Sequence, residues 1–207
     1  MKKILPAILL LALIAVGSWY ALTRVSTSHW KTYTNTSYGY QVKYPANMTV
    51  SYIGENSTIP VEQSDDAIIG VLNGGPTEFQ VTAYVLYSVQ SGTSYNKQRS
   101  DLIALPLQKL AETVRQAQVN DKNPATPDKQ TGQLKEITFA GQKGYSFTVT
   151  RTFNGLNGDY LLQPTNTTFD FIFIENKSGQ KLMISYPLGD TVAEKIGNSF
   201  QLTASAK

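Results

Sequence analysis

Nineteen consecutive uncharged residues, Ile4 to Leu22, stand between Lys2-Lys3 and Arg24, ahead of a long polar remainder. As a helix rising about 1.5 Å per residue, such a run spans roughly 28 Å, close to the hydrocarbon thickness of a bilayer. The two lysines favour an N-terminus kept in the cytoplasm and a remainder carried across the membrane. Trp19 and Tyr20 suit the far interface, and Arg24 can reach the headgroups. Both features favour a retained signal-anchor over residues 1–24, single-pass, with the domain extracytoplasmic. The alternative is a signal peptide using Ile4 to Val16 as its apolar core, cut after Ala15-Val16-Gly17, which leaves a secreted protein. A tether follows at 25–29, a single domain at 30–203 and a tail at 204–207.

The chain has no cysteine. Disulfides, zinc–thiolate centres, iron–sulfur clusters and cysteine nucleophiles are therefore excluded, as is a lipid attached to cysteine. An exported domain without disulfides must bury its own core, and residues 30 to 207 suffice for one. Three of the 18 Lys and Arg residues lie within residues 1–24, so the rest balances 15 basic against 15 acidic residues. The basic pI belongs to the N-terminal segment, and no basic patch points to a nucleic acid.

Tyr40, Val42 and Tyr44 alternate with Gln41 and Lys43, the pattern of a half-buried strand ended by Pro45. A short strand is expected over Met48 to Tyr52. Ala67 to Leu72 and Glu78 to Ser88 read as strands joined by the turn Asn73-Gly74-Gly75-Pro76, with Phe79, Val81, Ala83 and Val85 on one face. Ile103, Leu107, Leu110, Val114 and Ala117 recur at helical spacing, opposite Gln108, Glu112, Arg115 and Gln116. Pro106 fits only a first turn, which places the start of the regular helix there. A further turn from Asp101 would be capped by Ser100.

Asn120 to Gly132 is polar, carries two prolines and reads as a loop. Glu136 to Ala140 and Gly144 to Phe153 read as strands around Gly141-Gln142-Lys143. Thr168 to Glu175 and Gln180 to Tyr186 read as a hairpin around Lys177-Ser178-Gly179. Phe169, Phe171 and Phe173 share one face of a central strand, and Ile172 and Ile174 the other. Asp190 can cap a short helix to about Asn198, after which Phe200 and Leu202 return to the core. Consecutive hairpins and few helices define an α+β fold, a mainly antiparallel sheet covered by helices.

The segment Trp30 to Met48, with its Tyr38-Gly39-Tyr40 strand closing on Tyr44-Pro45, resembles the opening of the PsbP-like family, related in fold to Mog1. Ile137 to Tyr145 and the closing Ile196-Gly197-Asn198-Ser199-Phe200 are similar to that family too. The resemblance implies an antiparallel sheet sandwiched by helices. It also implies a non-enzymatic role, since the family holds extrinsic photosystem II subunits and anchored prokaryotic envelope proteins. No catalytic, cofactor-binding or metal-binding residue carries over, and no cofactor is implied.

Candidates for chemistry are sparse. His29, the sole histidine, stands at the tether, which leaves a Ser-His-Asp triad without a centre. Gly144 to Thr148 begins like a nucleophile elbow but ends in Thr and lies inside a strand pattern. Ser94 with Lys97, and Ser28 with Lys31, match Ser-x-x-Lys without its usual companions. Glu62, Asp65 and Asp66 are the one local carboxylate cluster, lacking calcium-loop spacing but open to weak cation binding. Asp170 interrupts an otherwise apolar strand, so it lies either at a solvated edge or hydrogen-bonded within the sheet. Sequons begin at Asn35, Asn47, Asn56, Asn166 and Asn176, and twelve tyrosines could supply an adhesive face.

The expected function is an exported domain, anchored through residues 4–22, that binds an envelope protein partner or supports assembly of an envelope complex. Its alternatives are a membrane-tethered, cofactor-free hydrolase and a small-ligand or cation-binding protein with Asn120 to Gly132 as a lid.

Overall fold

The computed structural model describes residues 29–51, 66–70, 79–84, 100–121, 129–157 and 160–204. Contacts divide the chain into a unit Met1–Trp30 and a unit Lys31–Lys207, and the sheets and helices below belong to the second. The apolar run Ile4 to Leu22 lies outside the described residues. Among the described residues, no helix is long and apolar enough to cross a membrane.

The chain order is β1 (Lys31–Asn35), β2 (Tyr40–Tyr44), β3 (Thr49–Ser51), β4 (Asp66–Gly70), β5 (Phe79–Tyr84), α1 (Leu107–Asn120), β6 (Gln130–Thr131) and β7 (Lys135–Phe139). It continues through β8 (Gln142–Asn157), β9 (Tyr160–Glu175), β10 (Lys181–Pro187), α2 (Thr191–Asn198) and β11 (Gln201–Leu202). A small sheet runs β1-β2-β11. A large antiparallel sheet runs β3-β4-β5-β10-β9-β8-β6, with β7 also on β8. The α+β architecture expected from the sequence is the one observed.

Register explains the two layers of core. Tyr145, Phe147 and Val149 stand opposite Phe173, Phe171 and Phe169, and Met183 stands opposite Phe173. On this face α1 packs Leu110 and Ala111 onto the phenylalanines, with Phe147 and Phe171 stacked at 5.2 Å between centroids. The other face carries Ile172, Ile174, Leu182, Ile184, Val81 and Phe79. Gly197 of α2 approaches Phe79 and the Tyr186 ring there, the latter to 3.2 Å from where a Cβ would stand. Phe200 stacks on Tyr40 and meets Phe139, tying the small sheet to the large one. The second face is thus covered by α2 together with the small sheet, where the resemblance implied helices alone.

Pro106 is the N-cap of α1, and a separate helical turn covers residues 100–104. The buried stripe of α1 centres on Leu110 and Ala111, flanked by Leu107 and Val114. Ala117, expected inside, is exposed, and Arg115, expected outside, keeps only 14% of its side chain accessible. A small alanine does not fix which edge of a helix stripe is covered. The turn before β8 is tighter than expected: Ala140 and Gly141 alone make it, at φ 50° and 75°, the mirror-image geometry that matches strand twist. Gln130–Thr131, expected as loop, pairs with β8. A two-residue strand has no periodicity to read and exists only through its partner.

Candidate interaction surface: the projecting hairpin and its root

β8 and β9 run 16 residues each, and their neighbours cover only part of them. β10 pairs with β9 from Phe169 onward, while β7 and β6 follow β8 only to Thr150. Over 151–157 and 160–167 the two strands pair with each other alone among the described residues. Seven residues at about 3.3 Å each carry this ribbon roughly 23 Å past the sheet. Its register shifts between Phe153 and Gly155, a bulge that adds twist. The sequence expectation ended the first strand at Phe153 and began the next at Thr168. Asn154, Gly155 and Pro164 look like breakers, yet each is tolerated where a strand has an open edge. Asn157-Gly158, a strong hairpin signal between apolar segments, was the clue available in the sequence.

The root of the ribbon is well built. The Thr150 and Thr168 hydroxyls share a hydrogen bond at 2.9 Å, and Thr152 Oγ1 donates to Asn166 Oδ1 at 2.7 Å. The Arg151 guanidinium lies over the Phe169 ring, 5.6 Å from its centroid, and its Nη2 donates to Gln118 Oε1 at 2.9 Å. Lys129, whose side chain is only 5% exposed, donates to the same oxygen and pairs with Asp121. One turn back, Arg115 donates from Nε and Nη2 to the Glu112 carboxylate at 2.8 Å each, and from Nη1 to Gly132 O at 3.4 Å. The two Arg115 bonds to Glu112, with one from Gln116, hold the Glu112 carboxyl down at about 2.

Two open grooves flank α1. One, of about 650 Å³, is lined by Leu107, Glu136, Thr138, Lys143 and Tyr145. The other, of about 550 Å³, is lined by Pro106, Lys109, Glu112 and Leu134. Each mixes single charges with apolar stems and lacks a convergent acid–base or nucleophile–base pair.

Asp170 is half-buried on the central strand β9, opposite Thr148 on one side and Tyr186 on the other. The solvated-edge reading is therefore replaced by a position within the sheet. Burial pushes its carboxyl above the usual range, opposed by a hydrogen bond from the Phe171 backbone and by the Lys135 charge. Burial, with the charges of Asp170 and Glu194, pushes the Tyr186 phenol up to about 12.

The remaining sequence candidates do not assemble. His29 is exposed, and Lys31 is exposed on β1. Ser28, Ser94, Lys97, Glu62 and Asp65 lie outside the described residues, as does most of the 120–132 loop, while Asp66 opens β4. Among the described residues, no group of three or more His, Asp or Glu could hold a metal. Ser146 sits mid-strand opposite Lys135 and Ile172, which removes the nucleophile-elbow geometry. The sequon residues Asn35 and Asn176 are buried and hydrogen-bonded, so neither can carry a glycan in the folded chain, whereas Asn47 and Asn166 are exposed. Tyr33 and Tyr40 are core residues, and Tyr38, Tyr44, Tyr145 and Tyr186 are half-buried.

No protein-family model and no curated protein matches the chain. Its fold is similar to that of cyanobacterial PsbP (CyanoP) from Synechocystis sp. PCC 6803, at 14% identity and a TM-score of 0.46, covering 86% of this chain and 95% of that one. It is also similar to the Ran-binding protein Mog1p of Saccharomyces cerevisiae, at 10% identity and a TM-score of 0.36, covering 84% and 96%. A Bacteroides thetaiotaomicron VPI-5482 protein matches at 10% identity and a TM-score of 0.32, with 86% of this chain over 50% of that one. These are likenesses of fold, and no site or activity passes through them.

Proposed function

We propose that this protein is an exported, non-enzymatic module, held at the membrane by residues 4–22, whose β-domain docks a protein partner through the projecting hairpin. The observation that carries the reading is the ribbon over 151–157 and 160–167. Both its outer edges are open among the described residues, and a two-stranded ribbon alone is marginal in water. Its sequence holds Phe153, Leu156, Tyr160, Leu161 and Leu162 against Arg151 and Asp159 as the only charges. A ribbon of that composition gains stability when another chain covers it or extends its edge.

The test is photo-crosslinking in cells of the native host. A crosslinking residue is placed at Asn154 in the full-length chain and, as control, at Lys195 on α2. One recurrent envelope protein captured from the first position and missing from the second supports the reading. Equal capture from both positions, or none from either, sinks it. Fractionation of the same cells tests the anchor, which predicts recovery of the full-length chain with membranes.

A further inference from the structure

Two cations converge on one neutral oxygen at the root of the hairpin. Gln118 Oε1 accepts from Arg151 Nη2 at 2.9 Å and from Lys129 Nζ at 3.3 Å, so the two charged nitrogens lie within about 6 Å. Lys129 has a carboxylate, that of Asp121. Arg151 has none among the described residues, and its Nε is buried without a hydrogen bond. A buried N–H left unmade is costly, and an amide oxygen is a weak counter-charge for the guanidinium that Asp121 does not reach. α1 has no basic residue in its own last turn, and both cations, bonded to Gln118 of that turn, complement the negative end of its dipole. That accounts for their sign, and it leaves the guanidinium edge unsatisfied.

We infer that Arg151 and Lys129 form an anion-binding site that takes the carboxylate of an Asp or Glu side chain from the partner docked on the hairpin. This rests on the docking reading above. The guanidinium edge offers the planar fork a carboxylate matches, and the ammonium, shared with Asp121, lies beside it. Arg151 is also the first residue of the free ribbon, so an acidic side chain bound here fixes a partner's register on it. Gln118 occupies the place of the ligand and swings aside when it binds.

The test follows the Arg Nε–Hε NMR signals of the full-length chain in micelles, at constant ionic strength, on addition of sodium acetate, a Glu-rich peptide or inorganic phosphate. Acetate and the peptide are expected to shift the Arg151 signal saturably, with affinity reduced several-fold by Lys129→Gln. The same titration followed on the Gln118 side-chain amide, which touches Arg151, is expected to weaken at least tenfold in Arg151→Gln. Gln118→Glu places a carboxylate in the site, and is expected to abolish the titration while raising Tm by roughly 2–4 °C. Shifts that chloride reproduces, or a Gln118→Glu variant that still titrates, overturn the site. Saturation by phosphate and not by the peptide overturns the carboxylate assignment. If Asn154 crosslinking to the partner persists unchanged in Arg151→Gln, the docking reading stands and this inference falls. If the titration holds while crosslinking fails, the docking reading falls.

Discussion

Gly144 of β8 stands opposite Ile174 of β9. A Cβ there would lie 2.3 Å from Phe173 O and 2.8 Å from Ile174 Cγ2. The first obstacle is backbone of a central strand and cannot turn aside, so Gly144→Ala is expected to cost about 2–3 kcal/mol in urea denaturation. Ala140 shows the opposite imbalance. Its φ of 50° suits Asn better than Ala, so Ala140→Asn should stabilise by about 0.5–1 kcal/mol in the same assay. Asp170 adds a pH dependence whose sign follows from its raised pKa. The folded chain holds that proton to higher pH than the unfolded chain does, so stability falls as pH rises just above the ordinary aspartate range and stays lower beyond it. Asp170→Asn should remove that decline, read as Tm between pH 3 and pH 7. An unchanged profile would show that burial of this carboxyl has no energetic consequence. The sequence made Asp170 conspicuous, yet only its neighbours Thr148 and Tyr186 reveal the desolvation that matters.

Elements were legible where a local rule sufficed. Asp190 was identifiable as a cap because a carboxylate before a helix accepts the first free amides, and it accepts from Val192 and Ala193 at 2.8 and 3.0 Å. Pro106 marked the start of α1 because its ring and missing N–H fit nowhere later. The β9–β10 turn was located for similar reasons, but its organiser was read only as a sequon. Asn176 Oδ1 accepts from the Ser178 and Gln180 amides at 2.9 Å, and its Nδ2 donates to Tyr38 O at 2.8 Å and Gln180 Oε1 at 2.7 Å. The Tyr38 bond crosses 138 residues of sequence to join the two sheets. Asn176→Ala leaves these groups without their partner in a site 5% exposed, and is expected to cost about 2–3 kcal/mol in chemical denaturation. A cost under about 0.5 kcal/mol would mean that water replaces the amide fully.

For the whole molecule, the separation between a packed body and a projecting ribbon has its own consequence. Replacing residues 153–165 by an Asn-Gly turn keeps the Thr152–Asn166 rung and every strand pair nearer the body. Tm should change by less than roughly 4 °C, while co-purification of the partner with the chain is lost. A collapse of Tm would show instead that the ribbon belongs to the core. The alternating Phe and Ile residues of β9, the Leu110-centred part of the α1 stripe, the β9–β10 turn and the cap of α2 were set by the sequence alone. Periodicity, φ preference and capping act within a few residues, so they are written locally. The reach of the β8–β9 ribbon, the burial of Asn35, Asn176 and Asp170, and the meeting of Arg151 with Lys129 on Gln118 were decided only by tertiary structure. Each depends on which distant strand or helix lies beside it, and contacts across 33 or 138 residues of chain leave no periodic trace.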